Sequence, residues 1–361
     1  MIEGATNCTA RDAGSSASTP RGTGSGSVIY EHAHEVITGD VFLSLDGLLP
    51  KGNAYLKLEG LNPAGSIKLK TALGLISDLE FGGHLKPGSR LIESSSGNLG
   101  VALSMICAAK GYRFTCVTDP LTSEHNLILM RAAGAQVVQV DERDESGGYL
   151  GTRIRCIKAY LEEDPELIWT NQYANTAGPR MHADRTAQEI LREFDSVEYL
   201  FVGTGTTGTL MGCLDRFRKQ SPHTRVIAVD AYGSVTFGFP PARRHLPGLG
   251  TSRRPGLRDL DENHPDEVIR VKEADAIRAC RRLATHRGVF VGASTGAVVA
   301  AMLQRKQDFP TDATLVAVSP DMGDRYARTV YDDDWVLQNY GADIVTGANL
   351  PGAETIRDGR G

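Results

Sequence analysis

The chain lacks any hydrophobic run approaching the roughly 18 residues that a membrane span needs, and its first residues carry no apolar segment of the kind that directs secretion. No membrane partner is expected, and a cytoplasmic location is. Its six cysteines, Cys8, Cys107, Cys116, Cys156, Cys213 and Cys280, contain no C-x-x-C pair and no His/Cys grouping with zinc spacing. They read as free thiols in a reducing compartment, with redox or metal chemistry as the lesser alternative and no metal site expected. There is no excess of positive charge: 39 Lys and Arg face 44 Asp and Glu, a formal charge of −5. A generic nucleic-acid partner would need the opposite balance. No internal repeat is visible.

What is present is an ordinary soluble composition, 41% hydrophobic and 23% charged over 361 residues, a length that suggests two domains, with one large domain as the alternative. Residues 1–27 are rich in Gly, Ser, Thr and Ala and read as a flexible leader, and 341–361 as a flexible tail. Between them, short β-rich runs alternate with helical patterns. Arg90–Ser94 reads as a strand, followed by an apolar helix over Asn98–Lys110 that Gly111 stops. A strand at Phe114–Thr118 precedes a helix that Ser123 caps and Gly134 ends, and Gln136–Val140 is the next strand. The pattern returns with strands at Tyr199–Val202, Arg225–Val229, Val268–Val271 and Thr314–Val318, and helices over 209–220, 273–287 and 295–307. Nearly all-apolar strands alternating with helices predict an α/β fold of parallel sheets covered by helices on both faces. In such sheets ligands bind beyond the carboxyl ends of the strands, so the loops that follow strands are where chemistry belongs.

Four such loops stand out. Gly203-Thr-Gly-Thr-Thr-Gly-Thr209 joins a strand to a helix; its glycines permit close backbone approach, and the helix N-terminus with four threonine hydroxyls makes a cradle for phosphate, or else a tight turn with no ligand. It is neither G-x-G-x-x-G nor a Walker loop. In Asn62-Pro-Ala-Gly-Ser-Ile-Lys68, Ser66 is placed to cap a helix whose first turn holds Lys68. The helix dipole repels a cation there, which suits an amine that is neutral or held as a Schiff base; a solvated lysine beside Lys70 is the alternative. In Glu93-Ser-Ser-Ser-Gly-Asn-Leu-Gly100, Ser95, Ser96, Asn98 and backbone N–H groups can surround a carboxylate, or simply cap a helix. In Gly292-Ala-Ser-Thr-Gly-Ala297, Ser294 is either an N-cap or a partner for a ring nitrogen that it would leave unprotonated.

With Val318-Ser-Pro-Asp-Met-Gly-Asp-Arg-Tyr326, these segments in this order resemble the fold-type II pyridoxal-phosphate enzymes, in their cysteine synthase branch, over roughly residues 28–340. The resemblance implies pyridoxal 5'-phosphate as cofactor, a tryptophan synthase β-like fold, a large domain of 28–61 plus 175–340, a small mobile domain of 62–174, and a homodimer. It implies Lys68 as the lysine that holds the cofactor, Asn98 at its 3-oxygen, Gly205, Thr206, Thr207, Gly208 and Thr209 around its phosphate, and Ser294 at its ring nitrogen. Ser95, Ser96, Leu99 and Gln172 would bind the substrate carboxylate. The third phosphate-loop position, usually Gly, is Thr207, and Leu99 stands where Thr is usual.

Further stretches, among them Gly147-Gly-Tyr-Leu-Gly-Thr-Arg153, Asn171-Gln-Tyr-Ala-Asn175 and Leu246-Pro-Gly-Leu-Gly-Thr-Ser252, are similar to the glutamate-using members of that branch. These join O-phospho-L-serine to the amino group of L-glutamate and release phosphate, supplying a precursor of L-2,3-diaminopropionate for siderophores and some peptide antibiotics. The alternative is a cysteine synthase or phosphoserine sulfhydrylase that uses sulfide. A glutamate nucleophile brings two carboxylates, so extra cationic or hydroxyl groups are expected, with Arg153 and Tyr173 as candidates. A helix-surface salt bridge for Arg153 and core packing for Tyr173 are the alternatives. Gly205 opens the phosphate loop, as in cysteine synthases, where the glutamate-using enzymes more often have Ser.

Overall fold

The computed structural model describes residues 21–23, 27–145, 147–256 and 263–345. Two sheets organise it. The larger has six strands in the order Glu267–Val271, Arg225–Ala231, Tyr199–Gly203, Thr314–Ser319, Asn53–Leu58 and Phe42–Ser44. Five are mutually parallel; Phe42–Ser44 runs antiparallel to Asn53–Leu58 at one edge, so this sheet is mixed there rather than wholly parallel. The smaller has four parallel strands in the order Gln136–Gln139, Arg113–Thr118, Arg90–Ser94 and Ile168–Trp169.

Apolar sequence explains which helices sit deepest. Ala293–Gln304 is small and apolar all round, and it is buried from Ala293 to Leu303, wedged between the large sheet and the outer helix Glu273–Arg287. Asn98–Lys110 plays the same part for the small sheet and ends at Gly111 in the left-handed conformation, φ 72°. Ser123 caps Glu124–Ala132, its side chain accepting from Asn126 N. The helix of Lys68 differs from expectation at its start: it begins at Lys68 with Ile67 as N-cap, and Ser66 Oγ only meets the Lys68 N–H at 3.4 Å. The last of the expected helices, 295–307, instead runs over Ala293–Gln304.

Three features were not visible as periodicity. The helix Leu150–Glu163 packs on the small sheet. A π-helical turn, Ala183–Ala187, sits between the helices Ala177–His182 and Gln188–Glu193. The helix Gly208–Gln220 closes onto Ala177–His182 so tightly that a Cβ on Gly212 would lie 2.3 Å from Pro179 O. Much of the leader read over 1–27 lies outside the described residues, but Arg21–Thr23 and Ser27–Ile29 pair antiparallel. The tail read from 341 begins with a helix, Ala342–Val345, whose Ile344 is buried.

Candidate active site

The carboxyl ends of both sheets open onto one cavity of about 1240 Å³. From the large sheet come the loops after Asn53–Leu58, Tyr199–Gly203 and Thr314–Ser319; from the small sheet come those after Arg90–Ser94, Arg113–Thr118 and Ile168–Trp169. Lys68, Ser95, Ser96, Asn98, Leu99, Arg153, Gln172, Tyr173 and Gly205 to Thr209 all line it. Ser294 does not. It is buried one layer back, its Cβ 4.0 Å from where a Cβ on Gly203 would sit.

Lys68 projects from the first turn of its helix, and burial pushes its ammonium down to about 8, although the carboxylate of Asp321 works in the opposite direction. Lys70, two residues on, is not a solvated neighbour. It is buried, with Nζ 2.9 Å from Glu59 and 2.6 Å from Glu189, in a four-charge cluster that Lys57 completes at 2.8 Å from Glu189. The two lysines therefore divide cleanly: one amine faces the cavity with a lowered pKa, and the other is spent on structure.

The phosphate loop enters the helix Gly208–Gln220 through Thr207, which holds φ 67°, a left-handed conformation that glycine adopts freely and threonine resists by about 1–2 kcal/mol. Its hydroxyl donates to Thr206 O at 2.6 Å. A Cβ on Gly205 would lie 3.1 Å from Gly248 O, so a small residue is what fits against that neighbouring loop. The first N–H groups of a helix have no intrahelical partner. They converge here with the Thr206 and Thr209 side chains beside the lowered Lys68 amine, a donor set suited to a phosphate dianion and an aldehyde carbon within one cavity.

The opposite wall is built as carefully. Glu93, wholly buried, accepts from Ser94 N (2.7 Å), Trp169 Nε1 (3.2 Å), Thr170 Oγ1 (2.5 Å) and Gln172 N (3.0 Å). Burial raises its pKa against these hydrogen bonds. The Gln172 side chain donates to Ser94 O at 2.8 Å, which fixes the amide over the serine loop. Ser95 Oγ accepts from Gly97 N and Gly100 N. Leu99 is buried and offers the cavity no hydroxyl. Arg153 is no surface salt bridge: it is buried on the helix Leu150–Glu163 with Nε 3.3 Å from Asp119 Oδ2, while its Nε and Nη1 have no hydrogen-bond partner among the described residues.

Several residues in the site were not singled out individually from the sequence. Asp321 is buried and accepts from Asn98 Nδ2 (2.8 Å) and Tyr326 OH (3.0 Å). Burial raises its pKa, against those two bonds. Arg325 donates to Asn98 Oδ1 and to Ala64 O. The segment holding Asp321, Arg325 and Tyr326 stood out as a motif, but nothing in it disclosed a contact with Asn98. His182, at the start of the π-helical turn, places Nε2 2.9 Å from Thr71 Oγ1 and 3.4 Å from Thr209 Oγ1. Burial, then the charges of Lys68 and Lys70, depress it well below the ordinary range, so the ring is neutral. Among the described residues, no three His, Cys, Asp or Glu side chains are grouped to hold a metal ion, and no helix is long and apolar enough to cross a membrane.

A family profile described as "Pyridoxal-phosphate dependent enzyme" matches residues 42–321. The chain belongs to this family. As a pyridoxal-phosphate enzyme it is similar to the N-(2-amino-2-carboxyethyl)-L-glutamate synthase of Ralstonia nicotianae, 44% identical over 257 residues covering 71% of this chain and 75% of that protein. The enzyme of the same name from Cupriavidus metallidurans is 46% identical over 260 residues, covering 71% and 76%. Among solved structures, an O-ureido-L-serine synthase aligns with TM-score 0.78 and 32% identity over 89% of this chain and all of that one. An O-acetylserine-dependent cystathionine beta-synthase from Helicobacter pylori aligns with TM-score 0.77 and 25% identity over 83% and 98%. The pyridoxal-phosphate family and the α/β fold expected of the sequence are thereby shown.

Proposed function

We propose that this pyridoxal-phosphate enzyme replaces the phosphate of O-phospho-L-serine with the amino group of L-glutamate, giving N-(2-amino-2-carboxyethyl)-L-glutamate and phosphate. The relatives at 44% and 46% identity support the product. The observation that carries the choice of nucleophile is Arg153, a buried guanidinium with unused donors in the wall of the cavity that holds Lys68. A sulfide nucleophile brings no carboxylate to such a group, whereas glutamate brings two.

The residues divide the work as follows. Lys68 would hold the cofactor covalently, Gly205 to Thr209 its phosphate and Asn98 its 3-oxygen, and Ser294, buried one layer behind Gly203, would serve its ring nitrogen. When bound, the cofactor supplies an electron sink next to the substrate's α-carbon. Ser95, Ser96, the backbone at Leu99 and Gln172 orient the α-carboxylate. Lys68 Nζ, with a pKa near 8, is neutral often enough near pH 7 to take the α-proton and later return it. The bond from the β-carbon to oxygen breaks with its electron pair leaving on phosphate, and the glutamate nitrogen bonds to that carbon and gives up a proton. Arg153 and Tyr173 hold the incoming carboxylates; burial raises the Tyr173 phenol, which stays protonated and able to donate.

On the same reading, residues 62–174 form a small lobe that closes over the substrates, and the protein works as a cytoplasmic homodimer whose product feeds diaminopropionate supply for siderophores or peptide antibiotics. The test is phosphate release from O-phospho-L-serine with either glutamate or sulfide as second substrate. Release that depends on glutamate supports the assignment; release with sulfide alone refutes it.

A further inference from the structure

The cavity is far more basic than the chain around it. The protein carries a formal charge of −5, yet among the described residues eight Lys and Arg side chains line the cavity against a single carboxylate, Asp119. Four of the eight, Arg243, Arg244, Arg253 and Arg254, come from one stretch, Pro241–Gly256, which has no regular secondary structure.

That stretch is pinned at its base and carries three exposed cations. Gly250 N donates to Thr204 O at 2.6 Å, tying it to the residue that precedes the phosphate loop. Thr251 N donates to Ser234 Oγ at 3.1 Å, and His245 N and Leu246 N both donate to the Glu273 carboxylate. Arg244 is turned inward, donating to Leu249 O at 2.8 Å. At the far end a Cβ on Gly256 would lie 3.0 Å from Tyr173 O, so the segment reaches across to the opposite wall. Arg243, Arg253 and Arg254 are exposed, and no carboxylate among the described residues pairs with them. Exposed guanidinium groups at the mouth of a low-dielectric cleft concentrate anions there.

We propose that this arginine segment selects the leaving group: Arg253 and Arg254, with Arg243 behind them, recognise a dianionic phosphate ester on the β-carbon and favour it over a neutral ester. The inference rests on the function proposed above. The cofactor's phosphate has its own cradle at 205–209, the α-carboxylate has the serine loop, and Arg153 serves the nucleophile. The anionic group left over is the β-substituent, and an acetyl ester, as in the name of one solved relative, brings no such charge.

The experiment uses the cofactor-loaded full chain, without glutamate, and reads the change in cofactor absorbance on titration with O-phospho-L-serine or O-acetyl-L-serine. Losing two charges from the mouth, Arg253→Gln with Arg254→Gln, raises half-saturation for phosphoserine by about tenfold or more and moves acetylserine by less than about twofold. Added salt weakens phosphoserine binding to the wild type more than to this variant. Arg253→Lys with Arg254→Lys, which keeps the charge, retains most of the preference and guards against a folding defect. Equal weakening of both esters, or no change with phosphoserine, overturns the inference. A wild type that answers acetylserine and ignores phosphoserine instead overturns the proposed substrate itself.

Discussion

Asn98 Nδ2 donates to Asp321 Oδ2 at 2.8 Å, joining the start of the helix Asn98–Lys110 to the loop beyond the strand Thr314–Ser319. Arg325 closes the other side of the same amide by donating to Asn98 Oδ1. Both ends of the Asn98 amide are thus fixed from across the cavity, leaving one N–H of Nδ2 for a ligand.

Asp321→Ala should therefore alter two things at once. The absorbance maximum of the bound cofactor shifts, because the amide beside it is released. The Lys68 pKa falls below about 8, because the carboxylate that raises it is gone. The spectrum of the loaded enzyme checks the first and the pH midpoint of cofactor uptake the second; no change in either would separate Asp321 from the site.

On the proposed assignment, cofactor uptake by the cofactor-free protein depends on a neutral Lys68 amine. The uptake rate should climb as pH rises toward about 8 and level off above it. The sign for stability is the same. With its folded pKa below the ordinary lysine value of 10.5, Lys68 binds its proton less well in the native state, so the cofactor-free protein gains stability as pH rises between those values. Lys68→Ala removes the pH dependence of uptake and abolishes turnover, which stopped-flow absorbance and product assays will show.

Arg153→Gln should raise the KM for glutamate by about tenfold or more and that for phosphoserine far less, a difference of about 1.4 kcal/mol or more. The same change strands Asp119 as a buried, unpaired carboxylate, so a melting curve must accompany the kinetics. Equal effects on both substrates would remove Arg153 from the glutamate pocket.

Lys70→Met should leave Lys68 in place but destabilise the fold by about 3–5 kcal/mol, the usual effect of breaking a buried ion pair from one side. Burial alone would raise Glu189, but the ammonium groups of Lys70 and Lys57 outweigh it and hold its pKa below 4.5. Its contribution is present above that value and is lost as pH falls through the lower native pKa. Denaturant titrations at neutral and acid pH measure both effects.

How much of this could be read from the sequence follows from how local each signal is. Gly111 ending a helix, Ser123 capping one and Gly203–Thr209 opening another are decided by neighbours within a few residues, and they lie where the pattern put them. Lys68 falls in the first turn of its helix for the same reason. Asp321 with Asn98, Lys70 with Glu189, and His182 with Thr71 pair residues more than a hundred positions apart, so no spacing rule could join them. The antiparallel edge strand Phe42–Ser44 is three residues long and too short to show a period. Ser294 was found as a motif, but its depth behind Gly203 depends on how the helix Ala293–Gln304 packs.

The most direct measurement supplies the cofactor-loaded enzyme with O-phospho-L-serine and glutamate labelled with nitrogen-15 at its amino group, then weighs the product. The account predicts a secondary amine that carries both carbon skeletons and the label, with phosphate released in equal amount. Cysteine formed when sulfide is added, with no labelled adduct from glutamate, would contradict it.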